Sequence, residues 1–373
     1  MLSWIEIDTA AIGKNIESFR SIVAPGTGVM AIVKANAYGH GLEVVAPVAA
    51  LHADWLGVNN LEEGLAVRDL GIDRPVAILG HTEVERLDYI LSGDFRQVVY
   101  RQDVAAGLSA CAKQRGTTAR VHLKVETGTH RQGVAIDELK SFVEGLLALP
   151  NLEIEGLYTH FANIEDTLDP TFAEFQIEEF RRASAIVKDA GARPSWIHAS
   201  ATSGALLYPE TGFNMIRVGI GTYGIWPSRE TQLAARERGR RISLNPSLHW
   251  KTRIAQIKTI KPGEFVGYGL TYQASHPMRI GILPIGYYDG YDRKLSNSGR
   301  VLVGGQAVPV IGRVMMNMIA IDVTDVEVKL DDEVVLIGRQ GTAEIRVEEL
   351  AEKIGTIAYE VVSRINPTIP RFS

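Results

Sequence analysis

Between residues 30 and 218 short apolar runs alternate with helical patterns, and few folds accept that order. Strands separated by helices cannot form hairpins; each connection must cross a sheet face and set the next strand parallel to the last. The runs are Met30–Lys34, Trp55–Val58, Val76–Leu79, Gln97–Tyr100, Val121–Glu126, Ile154–His160, Trp196–Ala199 and Met215–Val218. Helical patterns such as Glu62–Leu70, Glu138–Leu149 and Phe172–Asp189 lie between them. Eight such strands predict an α/β fold closed into a (β/α)8 TIM-type barrel, with an open doubly wound sheet as the alternative. Ahead of them, Trp4–Asp8 reads as an opening strand and Thr9 as the cap of a helix reaching about Val23.

Near Arg240–Asn245 the texture changes. The runs Trp250–Lys258, Arg279–Leu283, Val301–Val303, Val308–Ile311, Ile319–Val323 and Glu333–Ile337 are broken by Gly and Pro, with one clear helical pattern at Val347–Ile354. Two domains are therefore expected: residues 1–238 as the barrel and 239–373 as a C-terminal, mostly β-strand domain. A formal net charge of -5 gives no case for nucleic acid or an anionic membrane as partner. Cys111 is the only cysteine, so no internal disulfide forms, and its helical surroundings predict a small core residue. The acidic N-terminal stretch lacks a signal-peptide pattern and no apolar run reaches membrane-spanning length, so a soluble cytoplasmic protein is expected. No metal is expected.

A barrel places its chemistry at the carboxyl ends of its strands, and often a phosphate at the loops after strands seven and eight. Lys34 ends the first run, Lys124 lies near the end of the fifth, His160 ends the sixth and Arg217 falls in the eighth. Ser200–Gly204 follows the seventh and Gly219–Gly224 the eighth, offering hydroxyls and unhindered amides suited to a phosphate. Burying an ammonium behind the apolar stretch Val29–Val33 is costly unless the lysine is paired or its pKa falls. A desolvated lysine is what Schiff-base chemistry needs. A lysine that snorkels from a strand end is the plainer alternative.

Lys34-Ala35-Asn36-Ala37-Tyr38-Gly39-His40-Gly41 closely resembles the pyridoxal-phosphate lysine motif of alanine racemases, and the resemblance runs from residue 4 to residue 371. It implies the fold-type III architecture, pyridoxal 5'-phosphate as cofactor, and interconversion of L-alanine and D-alanine for peptidoglycan. Lys34 matches the lysine that holds the cofactor as a Schiff base and later acts as one of two bases. Tyr38 and Tyr359 match phosphate-contacting tyrosines, and Thr202, Gly219 and Ile220 lie in the matching phosphate loops. His160 matches a histidine that holds the catalytic tyrosine and arginine in place.

Arg217, in Met215-Ile216-Arg217-Val218-Gly219, is similar to the arginine that faces the pyridine nitrogen. A guanidinium stays charged and only donates, so it leaves that nitrogen unprotonated. The ring is then a poorer electron sink, which disfavours side reactions and favours simple reprotonation. Tyr268, in Phe265-Val266-Gly267-Tyr268-Gly269, aligns with the family's second base. Racemisation needs one base on each face of the α-carbon. A phenol, with a reference pKa near 10, serves near neutral pH only beside cations, and Arg217 relayed through His160 supplies one.

In that family the tyrosine reaches the active site of the partner subunit, so the resemblance implies a homodimer with shared active sites. Met316 matches a substrate contact from the same side, and Tyr287 a residue lining the way in. Lys124 and Arg131 match a lysine that is often carbamylated and an arginine that clamps the substrate carboxylate. Whether Lys124 is modified stays open, and Lys124 in place of Lys34 as the Schiff-base lysine is an alternative.

Three departures from the family pattern bear on the substrate. Glu126-Thr127-Gly128-Thr129-His130-Arg131 stands for the usual Asp-Thr-Gly-Met-Gly-Arg. His198-Ala199-Ser200-Ala201-Thr202 stands for His-x-Ala-Asn-Ser, where Ala201 cannot donate as Asn would, and Asn317 replaces a usual Asp. Serine, or a broader set of small amino acids, is therefore the competing substrate. A decarboxylase or aldolase on the same cofactor is disfavoured by Arg217, and a non-catalytic cofactor carrier by Tyr268.

Overall fold

The computed structural model describes residues 1–209, 211 and 213–373. It divides into two units, residues 10–35 with 45–245, and Met1–Thr9 with Asn36–Val44 and Pro246–Ser373. The chain opens with β1 (Ser3–Ile7), a strand of the second unit.

The first unit holds β2 (Gly28–Ile32), β3 (Trp55–Val58), β4 (Val76–Ile78), β5 (Phe95–Val99), β6 (Ala119–Lys124), β7 (Leu152–Tyr158), β8 (Trp196–His198) and β9 (Met215–Val218). All pair in parallel, in the order β8-β7-β6-β5-β4-β3-β2-β9. Asn214 joins the two ends: its Oδ1 accepts from Ile197 N at 2.7 Å and its N donates to Ile197 O at 3.3 Å. Strands β2 to β5 are buried at every position, as strands covered on both faces must be. The expected eight-stranded barrel is thus present, nearly closed.

Three local expectations need correction. The first strand stops at Ile32, so Lys34 begins the turn after it rather than ending it, and His160 lies two residues past β7. Cys111 is half-buried, because it flanks the inward stripe Val104, Ala105, Leu108 and Ala112 of helix Gln102–Arg115. No helix among the described residues is long and apolar enough to cross a membrane.

The second unit holds β10 (Leu248–Arg253), β11 (Gln256–Ile260), β12 (Met278–Leu283), β13 (Arg300–Val303), β14 (Gln306–Ile311), β15 (Ile319–Asp322), β16 (Glu333–Gln340), β17 (Ala343–Ile345) and β18 (Arg371–Phe372). Their order is β11-β12-β15-β14-β13-β16-β10-β1-β18, with β17 beside β16. In β10, Leu248, Trp250 and Thr252 are buried between half-exposed His249, Lys251 and Arg253, the alternation of an antiparallel sheet with one wet face. The run expected at 250–258 is two strands. Ile254 N still bonds Asp332 O beyond β16, whereas Ala255 N bonds Ile282 O of β12, so the chain changes neighbours there. A second helix, Ala358–Ser363, is too short to show a period in sequence.

Candidate functional site

Lys34 opens a left-handed turn. Ala35 has φ +54°, and Asn36, Ala37 and Tyr38 each have φ +52°. L-residues resist this conformation by roughly 1–2 kcal/mol each, so the surroundings must impose it. Ala35 N donates to Glu63 Oε1 at 2.6 Å, and Asn36 Oδ1 accepts from Leu42 N at 2.8 Å. Arg371 donates to Gly39 O from Nε at 3.2 Å and Nη2 at 3.0 Å. Gly39 itself has φ +79°, and a Cβ there would run into Val362 O. The Lys34 amine has no hydrogen-bond partner among the described residues. Burial pushes its pKa down and the Arg131 charge adds to this, with Glu63 opposing.

Arg217, on β9, is only 3% exposed. Its Nη1 donates to His198 Nδ1 at 2.7 Å and His198 O at 3.3 Å. Its Nη2 donates to Thr159 O at 2.9 Å, Ala199 O at 2.8 Å and His160 Nδ1 at 3.2 Å. Only Nε–H is left without a protein acceptor among the described residues. Burial lowers the guanidinium's pKa to about 10, so it stays charged. His160 is held well below its ordinary range, first by burial and then by the charges of Arg217, Arg131, Lys124 and Lys34. It is neutral near pH 7. Those four cations act on one imidazole, which places the expected barrel residues around a common point.

Lys124, the last residue of β6, donates from Nζ to Gln132 Oε1 at 3.2 Å. Burial, then Arg131 and Arg217, lower its pKa to about 8. Gln132 also donates from Nε2 to Tyr100 Oη at 3.2 Å. Sequence reading missed Gln132, which no spacing rule distinguishes from its neighbours. Glu126 accepts from Gly128 N at 2.6 Å and Arg131 N at 3.2 Å, tying down the loop that presents Arg131. Thr129, in the place of the family's Met, donates to His160 O. Arg131 is exposed, and with Lys124, His160 and Gln132 it lines a small pocket.

The loops after β8 and β9 meet at Thr202, whose Oγ1 accepts from Gly219 N at 3.2 Å and Gly221 N at 3.4 Å. A Cβ on Gly221 would lie 2.6 Å from the Phe19 ring, so this amide approaches only as glycine. Ile220 lies between the two, fully buried. Among the described residues the barrel unit therefore offers an unbonded amine, a single spare guanidinium N–H and a Thr202 hydroxyl gathered with two loop amides. A ligand with a carbonyl, one ring acceptor and a phosphate fits that donor set.

The second unit gathers the remaining expected residues into two groups. Tyr38 and Tyr359 stand with ring centroids 6.1 Å apart. Burial raises the Tyr38 pKa to about 12, so its hydroxyl is a donor, not an anion. Tyr268 sits on a 3-10 turn between Gly267 (φ +73°) and Gly269 (φ +74°), 73% exposed. The turn rises from a small core of Val266, Ala274, Met278, Ile280 and Ile311. Tyr287 N donates to Met315 O and Tyr288 N to Met316 O, each at 3.0 Å, so Tyr287 and Met316 are neighbours. Tyr287 and Met316 are both exposed as well.

Comparison with known proteins finds alanine racemases and, among the solved structures, also a histidine racemase of Leuconostoc mesenteroides subsp. sake, with a TM-score of 0.88 at 28% identity, covering 99% of this chain and 97% of its own. Residues 7–227 match the model of the alanine racemase N-terminal domain, and residues 247–373 that of the C-terminal domain. An alanine racemase of Symbiobacterium thermophilum is 38% identical over 372 residues, 99% of this chain and 96% of that one. The solved alanine racemase of Clostridium difficile superposes with a TM-score of 0.92 at 29% identity, covering 100% of this chain and 95% of its own. That of Bacillus anthracis, with bound L-Ala-P, gives 0.91 at 32% identity, covering 99% and 94%.

Proposed function

The chain belongs to the alanine racemase family, and from that premise we propose that it interconverts L- and D-alanine on pyridoxal 5'-phosphate with Lys34 and Tyr268 as its two bases. The observation that carries the assignment is the Lys34 amine, unbonded among the described residues and lowered in pKa by burial and by Arg131. Bound pyridoxal phosphate supplies an electrophilic carbonyl and a conjugated ring that withdraws electrons from the substrate's α-carbon.

Lys34, whose ammonium form burial and the Arg131 charge disfavour, would hold the cofactor and take or return the α-proton on one face. Arg217 would meet the ring nitrogen with its Nε–H, as donor only, and would leave that nitrogen unprotonated. His160 accepts from Arg217 at Nδ1, which leaves its proton on Nε2 to donate to a phenolic oxygen. That oxygen belongs to Tyr268 of a second copy, which handles the proton on the opposite face. Arg131 clamps the substrate carboxylate, with Lys124 beside it as the site of a carbamate. From the barrel unit, Thr202 and the amides of Gly219 and Ile220 would hold the phosphate; Tyr38 and Tyr359 match the tyrosines that contact it in the family. Met316 and Tyr287 bound the substrate from the second copy.

A homodimer in the cytoplasm follows from this reading. Tyr268, Leu270, Tyr287, Tyr288, Met316 and Met318 are large apolar side chains left exposed on neighbouring loops of one unit, as a surface awaiting a partner is. Tyr268→Phe tests the scheme. Borohydride should still fix the cofactor to Lys34, while α-deuterium exchange into alanine falls by about 10²-fold or more for one enantiomer only. A mutant that racemises alanine like the parent ends the two-base assignment. Serine assayed alongside ranks the substrates.

A further inference from the structure

Arg217 is joined to the far end of the barrel by buried polar groups that the racemisation scheme does not use. His198, on β8, accepts from Arg217 at Nδ1 over 2.7 Å, and its Nε2 lies 3.0 Å from Nδ1 of His122 on β6. His122 Nε2 faces Glu155 Oε2 of β7 at 3.5 Å. Glu155 is paired in turn with Arg96 Nε at 3.2 Å, and Arg96 with Asp94, just ahead of β5. The path runs from the carboxyl end of the strands to the opposite end through a core where His122 and His198 are fully buried.

Donor and acceptor chemistry gives this path one direction. A guanidinium cannot accept, so His198 Nδ1 must. Burial, with Arg217 beside it, keeps His198 well below its ordinary pKa, so it is neutral and its single proton is on Nε2. His122 Nδ1 therefore accepts. Burial keeps His122 neutral too, against the pull of Glu155, so its proton is on Nε2, the nitrogen nearer the carboxylate, drawn by that charge across 3.5 Å without a hydrogen bond to it. Burial acts to raise the Glu155 pKa, but His122 and Arg96 outweigh it and hold the group ionised.

The rings are closely packed. A Cβ on Gly156 would strike the His122 ring, His198 stacks on Tyr158 at 4.9 Å and 5°, and Trp55 leans on His122 at 5.3 Å. We propose that Glu155 and His122 are positioning residues for the reaction: the carboxylate sets both tautomers, and so keeps a lone pair, not an N–H, against Arg217 Nη1. With the opposite tautomer two N–H groups would face each other and the guanidinium would be pushed off its aim. The consequence for turnover rests on Arg217 meeting the cofactor; the tautomers do not.

Histidine-labelled full-length protein, observed by long-range 1H–15N NMR with and without pyridoxal phosphate, tests the tautomers directly. Both His122 and His198 should be neutral with the proton on Nε2. Either one found with the proton on Nδ1, or as imidazolium near neutral pH, overturns the inference without any variant. His122→Phe fills the ring's place but breaks the path; His198 should then show mixed tautomers, and kcat should drop roughly tenfold, the scale of one hydrogen bond to a charged group. KM for alanine should change less than about twofold, since Arg131 is untouched. His122→Gln, which can accept from His198 and donate to Glu155, should restore most of kcat. Mixed tautomers with parental kcat would overturn the positioning role. The Arg217 reading fails separately, if Arg217→Lys racemises like the parent.

Discussion

Arg217 Nη2 stands 3.2 Å from His160 Nδ1, and that contact decides which nitrogen of the imidazole carries the proton. The donor-only guanidinium leaves Nε2–H free to hold a phenolate. His160→Phe keeps the ring volume and loses both bonds. The kcat should fall roughly 10²-fold in both directions, as for loss of a partner in proton transfer. Cofactor absorbance should persist, because the Lys34 turn is unchanged. Equal loss of bound cofactor and of kcat would show a structural role instead.

Lys124 has an acceptor, Gln132 Oε1, and a pKa of about 8, so above that value much of it is free amine able to react with carbon dioxide. A carbamate would put a negative charge beside Arg131. Adding bicarbonate to protein stripped of carbon dioxide should therefore lower KM for alanine at alkaline pH. Gln132→Glu places a carboxylate near Nζ and keeps the ammonium charged. The variant should lose the bicarbonate response and show KM raised by about tenfold, the scale of one charge-assisted hydrogen bond. A response undiminished in the variant would remove Lys124 as the site.

The barrel was legible in sequence because strands such as Gly28–Ile32 and Trp55–Val58, covered on both faces, have to be apolar throughout. Lys34, His160 and Arg217 were legible through the resemblance to the racemase motifs, because a lysine, a histidine or an arginine near a strand end is ordinary by itself. The turn after Lys34 was not. Ala35-Asn36-Ala37-Tyr38 contains no glycine to announce positive φ; Glu63 and the contacts of Gly39 with Arg371 and Val362 fix that geometry, and they are remote in the chain. The partnership of β1 with β10 was hidden for the same reason, since Ile5 and Trp250 meet only in the folded sheet. Gln132 and Glu155 gave no signal, because one amide or carboxylate on a strand or loop is ordinary until its partner is known.

His40 is fully buried, and burial lowers its pKa to about 4 against the carbonyls of Tyr38 and Ala37, which pull it up. The unfolded chain, near 6.5, binds a proton where the native state does not. This contribution is complete above the unfolded value and is lost as pH falls from about 6.5 toward 4, by at most about 3 kcal/mol. His122, His160 and His198 act with the same sign. Denaturant midpoints should therefore drop across that window. His40→Gln should flatten part of the drop, and an unchanged slope would exclude His40 as a contributor.

Arg371 makes every one of its hydrogen bonds to main-chain oxygens. Besides Gly39 O, it donates to Asn366 O at 2.8 Å, Ile365 O at 3.3 Å and Ile369 O. One side chain near the C-terminus thus binds the segment that continues from Lys34 to the last turn of the chain. Arg371→Met keeps the apolar stem and removes all the donors. The stranded carbonyls should cost about 3 kcal/mol of stability, read in urea unfolding. A more specific consequence concerns the left-handed turn, which has positive φ at four non-glycine residues and will relax once Gly39 is released. Lys34 would then sample positions away from the cofactor's carbonyl, so the affinity for pyridoxal phosphate should fall by about tenfold, while Arg371→Lys, with one ammonium for the fork, should fall between. Parental cofactor affinity in Arg371→Met, alongside lowered stability, would mean that the turn is held by Glu63 and Asn36 alone.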